Sequence, residues 1–188
     1  MIATYFQSLG LFDREEITQI VQLFEYRSLN KNDFFVKENQ PCKEVAFIAS
    51  GIFRSYYSTS SAEDVTYCFR FPNSLMAAYS SFITGGPSVE TMQALSPAEL
   101  WIIKKSAIDK LAAESLVWTK YLKMIAEQQY LELEKRIFQL QKETALQRYT
   151  VLLRDQPEFI QQIPLQYLAS YLGITQRHLS RIRSEVTF

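Results

Sequence analysis

A chain of 188 residues, 47% hydrophobic and 21% charged with zero formal net charge, holds enough apolar material for one good core plus a small second unit. One histidine, His178, and two cysteines, Cys42 and Cys68, with no CxxC pair exclude a multi-histidine metal centre and a histidine-based catalytic dyad within one chain, and suggest neither a zinc site nor a disulfide scaffold. The opening residues lack the basic start and apolar run of a signal peptide, and no later segment approaches ~18 uncharged apolar residues, so a soluble, cytoplasmic protein without membrane association is expected.

Residues 13–24 (DREEITQIVQLF) predict a short amphipathic helix, with Asp13 as N-cap candidate, acidic residues in the first turn, and Ile17, Ile20, Val21 and Phe24 at helical spacing. From Phe34 to Ile103 the texture changes to short runs rich in aromatic and β-branched residues. Strands are expected at 45–49, 52–58, 65–71, 89–95 and 100–103; in the third, Val65, Tyr67, Phe69 and Phe71 alternate with Thr66, Cys68 and Arg70. Ser50-Gly51 reads as a tight hairpin turn, with Gly51 taking a positive φ, and Thr84-Gly85-Gly86-Pro87 as a second turn or loop. Many short strands with frequent turns imply a β jelly roll or sandwich.

After Lys105 the pattern turns helical. Ser106 is positioned to cap a short helix through Ala113, and Ser115 to open a longer one to about Gln141 without Gly or Pro. On it Leu122, Ile125, Leu133, Ile137 and Leu140 follow a 3-4 spacing, broken by Gln129. A helix of ~25 residues is about 38 Å long, more than the domain's own core needs. It reads either as a dimerisation helix paired with a two-fold mate or as a helix packed on its own barrel. Residues 143–153 predict another helix, and 155–163 a short connection with a small hairpin near Phe159-Ile160 and Ile163-Pro164. The domain division expected is 1–114, 115–141 and 142–188.

Residues 164–186 carry the spacing of a helix-turn-helix. The small residue that the crossing of the two helices requires is Ala169, and four positions later Gly173 tolerates the left-handed turn. Leu168, Leu172, Ile174, Leu179 and Ile182 supply the apolar contacts, and Thr175 is a natural N-cap for the second helix. Gln176, Arg177, Ser180, Arg181 and part of His178 then point outward, the face that enters a major groove. Arginine pairs with guanine O6/N7 and glutamine with adenine, whereas Thr175, Ser180 and Arg183 suit phosphates. Charge follows: residues 1–134 carry 12 Lys and Arg against 16 Asp and Glu, residues 135–188 carry 8 against 4, so the basic surplus of +4 sits at the end where phosphate neutralisation would use it.

These residues resemble the Crp/Fnr regulators. The resemblance is carried by VAFIASGIFRSYY (45–57), FITGGPS (82–88), ALSPAELWII (94–103), TALQRY (144–149) and, most specifically, IPLQYLASYLGITQRHLSRIR (163–183). It implies an α+β chain: an N-terminal cyclic-nucleotide-binding-like jelly roll, a long dimerisation helix (Leu122, Ile125, Leu133, Ile137) and a C-terminal winged helix-turn-helix, with Gln176, Arg177 and Arg181 reading bases. It implies double-stranded DNA, a second copy of the chain and RNA polymerase as partners, and no enzyme activity. An enzyme on such a barrel would want two or three histidine ligands, and the sole histidine lies on the second helix of the pair.

The resemblance fails at the nucleotide. Members that bind it carry Gly-Glu-Leu and Arg-Ser/Thr-Ala; here Ala77-Ala78-Tyr79 and Ser88-Val89-Glu90 stand instead, without either charged anchor. A cyclic phosphate would lose charge-assisted bonds of about 1.5–3 kcal/mol each. Cyclic AMP is therefore not expected as effector or cofactor, and the region of Tyr79, Ser80, Ser81 and Ser88 takes another small molecule or none. The alternative function is a small-molecule-binding signalling module that acts through protein partners.

Overall fold

The structure is a computed structural model that describes residues 1–186. Its elements are α1 (Ile2–Ser8), α2 (Arg14–Gln22), β1 (Glu25–Leu29), β2 (Phe34–Val36), β3 (Glu44–Ser50), β4 (Phe53–Ser58), β5 (Asp64–Arg70), β6 (Leu75–Met76), α3 (Tyr79–Thr84), β7 (Thr91–Ala94), β8 (Ala98–Lys104), α4 (Lys105–Glu114), α5 (Leu116–Lys142), α6 (Ala145–Asp155), α7 (Pro157–Gln162), α8 (Leu165–Tyr171) and α9 (Gln176–Glu185). The chain divides into two compact units. The first holds Met1–Tyr57 and Cys68–Ile125; the second holds the hairpin tip Ser58–Tyr67 and the chain from Ala126 onward. The long helix α5 spans the division: residues 116–125 belong to the first unit and the rest to the second.

The strands form two four-stranded sheets, ordered β1-β8-β3-β6 and β2-β7-β4-β5. Alternation along the strands sends Phe47, Phe53, Met92, Ala94, Leu100 and Ile102 into one shared core, each at most 2% exposed. This is the expected jelly roll, with additions. β1 and β2 pair with β8 and β7, partners 77 and 59 residues away (Glu25↔Ile102, Phe34↔Gln93), which periodicity within a short window does not reveal. Gly51 takes φ +93° between β3 and β4, and a Cβ there would lie 2.5 Å from the Cβ of Ala98 and 2.7 Å from its Cα, so glycine is required twice over.

Asp13 caps α2 in a reciprocal capping box with Glu16. Ser106, expected as a cap, lies inside its helix, which starts at Lys105 with no side-chain cap. In α5, Ser115 Oγ accepts the N–H of Trp118 and opens the helix as expected. Its first turns seal the bottom of the jelly-roll core: Trp118 and Tyr121 are 2% and 3% exposed, and Phe6 of α1 stands 5.7–6.1 Å, ring centre to ring centre, from Phe12, Phe24, Trp118 and Tyr121. Leu122 and Ile125 pack on this same core.

Three expectations are corrected. The connection at 155–163 contains no hairpin: Pro157 occupies the first turn of α7, where its missing N–H costs nothing, and Phe159 and Ile163 turn inward at 6% and 5% exposure. The wing implied by the resemblance is accordingly not found among the described residues, where no strand adjoins the C-terminal helix pair in sequence. Within β5 the alternation is broken as well. Thr66 is 1% exposed while Tyr67 is 37% exposed, and the N–H of Thr66 is taken by the Ser170 hydroxyl at 2.9 Å.

Candidate functional site

The helix pair α8–α9 is closed by backbone geometry. Leu168 and Ala169 are buried at 0% and 1%, as the spacing of such a crossing requires. Gly173, at φ +70°, ends α8 in a Schellman motif: the N–H of Ile174 donates to the carbonyl of Ala169 at 3.0 Å and that of Gly173 to Ser170 at 3.0 Å. A helix leaves four carbonyls without intrahelical partners. The motif satisfies two of them. The other two are taken by guanidinium groups: Arg136 of α5 donates through Nη2 to Tyr171 O while its plane lies 4.0 Å over the Tyr171 ring, and Arg148 of α6 donates through Nε (3.1 Å) and Nη2 (2.9 Å) to Leu172 O. Cations at a helix C-terminus also oppose the negative end of its dipole.

Thr175 then caps α9, its Oγ1 accepting the N–H of His178 at 3.2 Å. Leu179 and Ile182 are buried at 0% and 2%, which turns Gln176, Arg177, Ser180 and Arg181 to the exposed side together. The Ser180 hydroxyl donates to Gln176 O at 3.0 Å, and its oxygen stays open. Arg183 is placed differently from expectation. It is half-buried and donates through Nη2 to Ile160 O at 3.3 Å, so its guanidinium ties α9 to the end of α7 and is not presented with the other two arginines.

The four residues expected around an effector are only partly a surface. Tyr79 is half-buried, and burial raises its phenol above the ordinary value; Ser80 is exposed. Ser81 and Ser88 are 1% and 2% exposed, and their hydroxyls are committed to backbone: Ser81 donates to Gly86 O at 2.6 Å and accepts Cys42 N–H at 2.9 Å, while Ser88 donates to Glu90 O and accepts Glu90 N–H. They brace the loop between α3 and β7. Glu90 is buried at 6%, and residues 77–90 contain no cation.

The residues named on α5 separate. Leu122 and Ile125 lie on the jelly-roll core, whereas Leu133 and Ile137 are 57% and 44% exposed, in company with Tyr130, Leu131, Phe138 and Leu140. Sequence reasoning missed Arg136, Arg148 and Ser170, whose partners lie 24 to 106 residues away in the chain. Only the surplus of arginine in the C-terminal part hinted at the first two.

A cyclic nucleotide-binding-type jelly roll followed by a helix-turn-helix is thus the architecture of the chain, and residues 26–115 match the family model of the cyclic nucleotide-binding domain. The solved structures that it resembles include one described as a transcriptional regulator of the Crp/Fnr family. FixK2 of Bradyrhizobium japonicum superposes with a TM-score of 0.76 at 19% identity, over 87% of this chain and 84% of that one. The catabolite activator protein of Thermus thermophilus gives 0.61 at 17%, over 93% and 84%. The c-di-GMP-responsive global regulator CLP of Xanthomonas campestris gives 0.67 at 14%, over 93% and 91%. No curated protein matches the chain in sequence. Among the described residues no helix is long and apolar enough to cross a membrane.

Proposed function

We propose that this chain is a sequence-specific DNA-binding transcription regulator of the Crp/Fnr type that works in the cytoplasm as a homodimer, reads bases with Gln176, Arg177 and Arg181, and does not respond to cyclic AMP. The observation that carries the reading is the common exposure of those three side chains on α9, a helix whose approach is fixed by a completely satisfied turn. Thr175 and Ser180 stand at the N-terminal half of the same face, where phosphate contacts would orient the helix. Arg183 has a structural role in this reading. RNA polymerase is the further partner such a regulator would meet.

The exposed apolar residues on the second half of α5 support the dimer. Tyr130, Leu131, Leu133, Ile137, Phe138 and Leu140 are 44–64% exposed along consecutive turns, a face suited to its two-fold copy. Two recognition helices would then address half-sites about 34 Å apart. The buried Glu90 and the lack of any cation in residues 77–90 argue against a cyclic phosphate in the jelly roll.

A duplex enriched by the protein from a random-sequence pool tests both parts. Arg177→Ala and Arg181→Ala should each weaken binding by about 1–3 kcal/mol and relax base preference. Unchanged affinity and preference in both would refute the reading face, and binding indifferent to salt would favour the alternative of a module acting through protein partners. Sedimentation of a Leu133→Glu, Ile137→Glu variant should give a monomer; an intact dimer would refute the pairing face.

A further inference from the structure

We propose that Ser170 is a positioning residue for the reading helix, its hydroxyl latching α8 to the outer edge of β5. The inference rests on the reading of α9 as a DNA-binding helix. In the order β2-β7-β4-β5, strand β5 is at an edge. Every second residue of an edge strand turns its N–H and C=O outward, away from the neighbouring strand. Asp64 and Thr66 are two residues apart and share a side. The Ser170 hydroxyl serves both: it accepts the N–H of Thr66 at 2.9 Å and donates to the carbonyl of Asp64 at 3.3 Å. One hydroxyl, with one donor and one acceptor, stands where a residue of a partner strand would stand.

The hairpin tip Ser58–Tyr67 belongs to the same compact unit as α8, but β5 continues into the other unit through Cys68 and the buried Phe69. Ser170 is followed by Tyr171 and Leu172, whose carbonyls Arg136 and Arg148 hold. Three consecutive residues at the end of α8 are gripped by the hairpin, α5 and α6 in turn, and α9 begins four residues later. In the latched state Gln176, Arg177, Ser180 and Arg181 are uncovered, so this state is the one that takes DNA. Release lets the helix pair reorient, and binding must then bear the cost of ordering it.

The test compares full-length wild type, Ser170→Ala and Ser170→Thr on the duplex enriched by the wild type. Alanine is a good helix former, so α8 persists while both hydrogen bonds go. Ser170→Ala should speed amide exchange at Thr66 about 2- to 10-fold and weaken the duplex about fivefold or more, with an unchanged salt slope because no phosphate contact is removed. Ser170→Thr, which keeps the hydroxyl, should restore both. Unchanged or tighter DNA binding by Ser170→Ala overturns the positioning role, and unchanged Thr66 exchange overturns the latch. If the wild type enriches no duplex, the DNA reading falls and the positioning role with it, while Thr66 exchange still separates a latched hairpin from a free one.

Discussion

Replacing Arg148 by methionine keeps the aliphatic stem and removes the group that closes the end of α8. Nε and Nη2 both donate to Leu172 O, and Nη1 donates to Glu143 O. A hydrogen bond from a charged donor contributes about 1.5–3 kcal/mol. Two donors share one acceptor here, and Arg148 is half-buried, which lowers the sum. Leu172 is 1% exposed, however, so water has poor access to the orphaned carbonyl. The expected loss is about 2–4 kcal/mol, confined to the second unit. Trp101 and Trp118 both lie in the first unit, so tryptophan fluorescence should report an unchanged urea midpoint. Amide exchange at Leu179 and Ile182 should accelerate to match the loss. Protection there within about 0.5 kcal/mol of wild type would refute the claim that the guanidinium groups close this helix.

Gly51→Ala should cost the first unit about 2–5 kcal/mol, from a non-glycine residue at φ +93° and a Cβ driven into the backbone of Ala98. Urea unfolding followed by tryptophan fluorescence measures it, and a loss under about 0.5 kcal/mol would contradict the close approach. Tyr5 and Tyr121 share a hydrogen bond of 3.2 Å, and burial holds both phenols above the ordinary value of 10.0. The unfolded chain ionises first, so the stability they contribute is complete below pH 10 and declines as pH rises above it. Urea midpoints between pH 9 and pH 11.5 should fall, and fall less steeply in a Tyr5→Phe, Tyr121→Phe variant; equal slopes would refute the assignment.

What the sequence disclosed depended on how far each residue's partner lies along the chain. The helix-turn-helix is a local device. Ala169, Gly173 and Thr175 act on neighbours within six residues, and the geometry they imply is present. The same holds for Asp13 and the Gly51 turn. Strands β1 and β2 owe their existence to β8 and β7, and α7 shows the opposite failure: Phe159 and Ile160 suggested a strand by propensity, while Pro157 at the first turn was the truer signal. The long helix shows a third kind. Leu122, Ile125, Leu133 and Ile137 form one stripe in the sequence, yet the jelly-roll core covers the first pair and leaves the second exposed, because a stripe does not state where its partner ends. Ser81 and Ser88 look like ligand-facing hydroxyls until the backbone groups they hold are known.

The contact between Ser170 and β5 also bears on how the chain behaves among its own copies. A bare sheet edge is a template on which a strand of another molecule can grow. At Asp64 and Thr66 that template is occupied by a single side chain projecting from a helix, which fills one donor and one acceptor and offers nothing to extend. α8 therefore covers this stretch of the edge against strand-to-strand association.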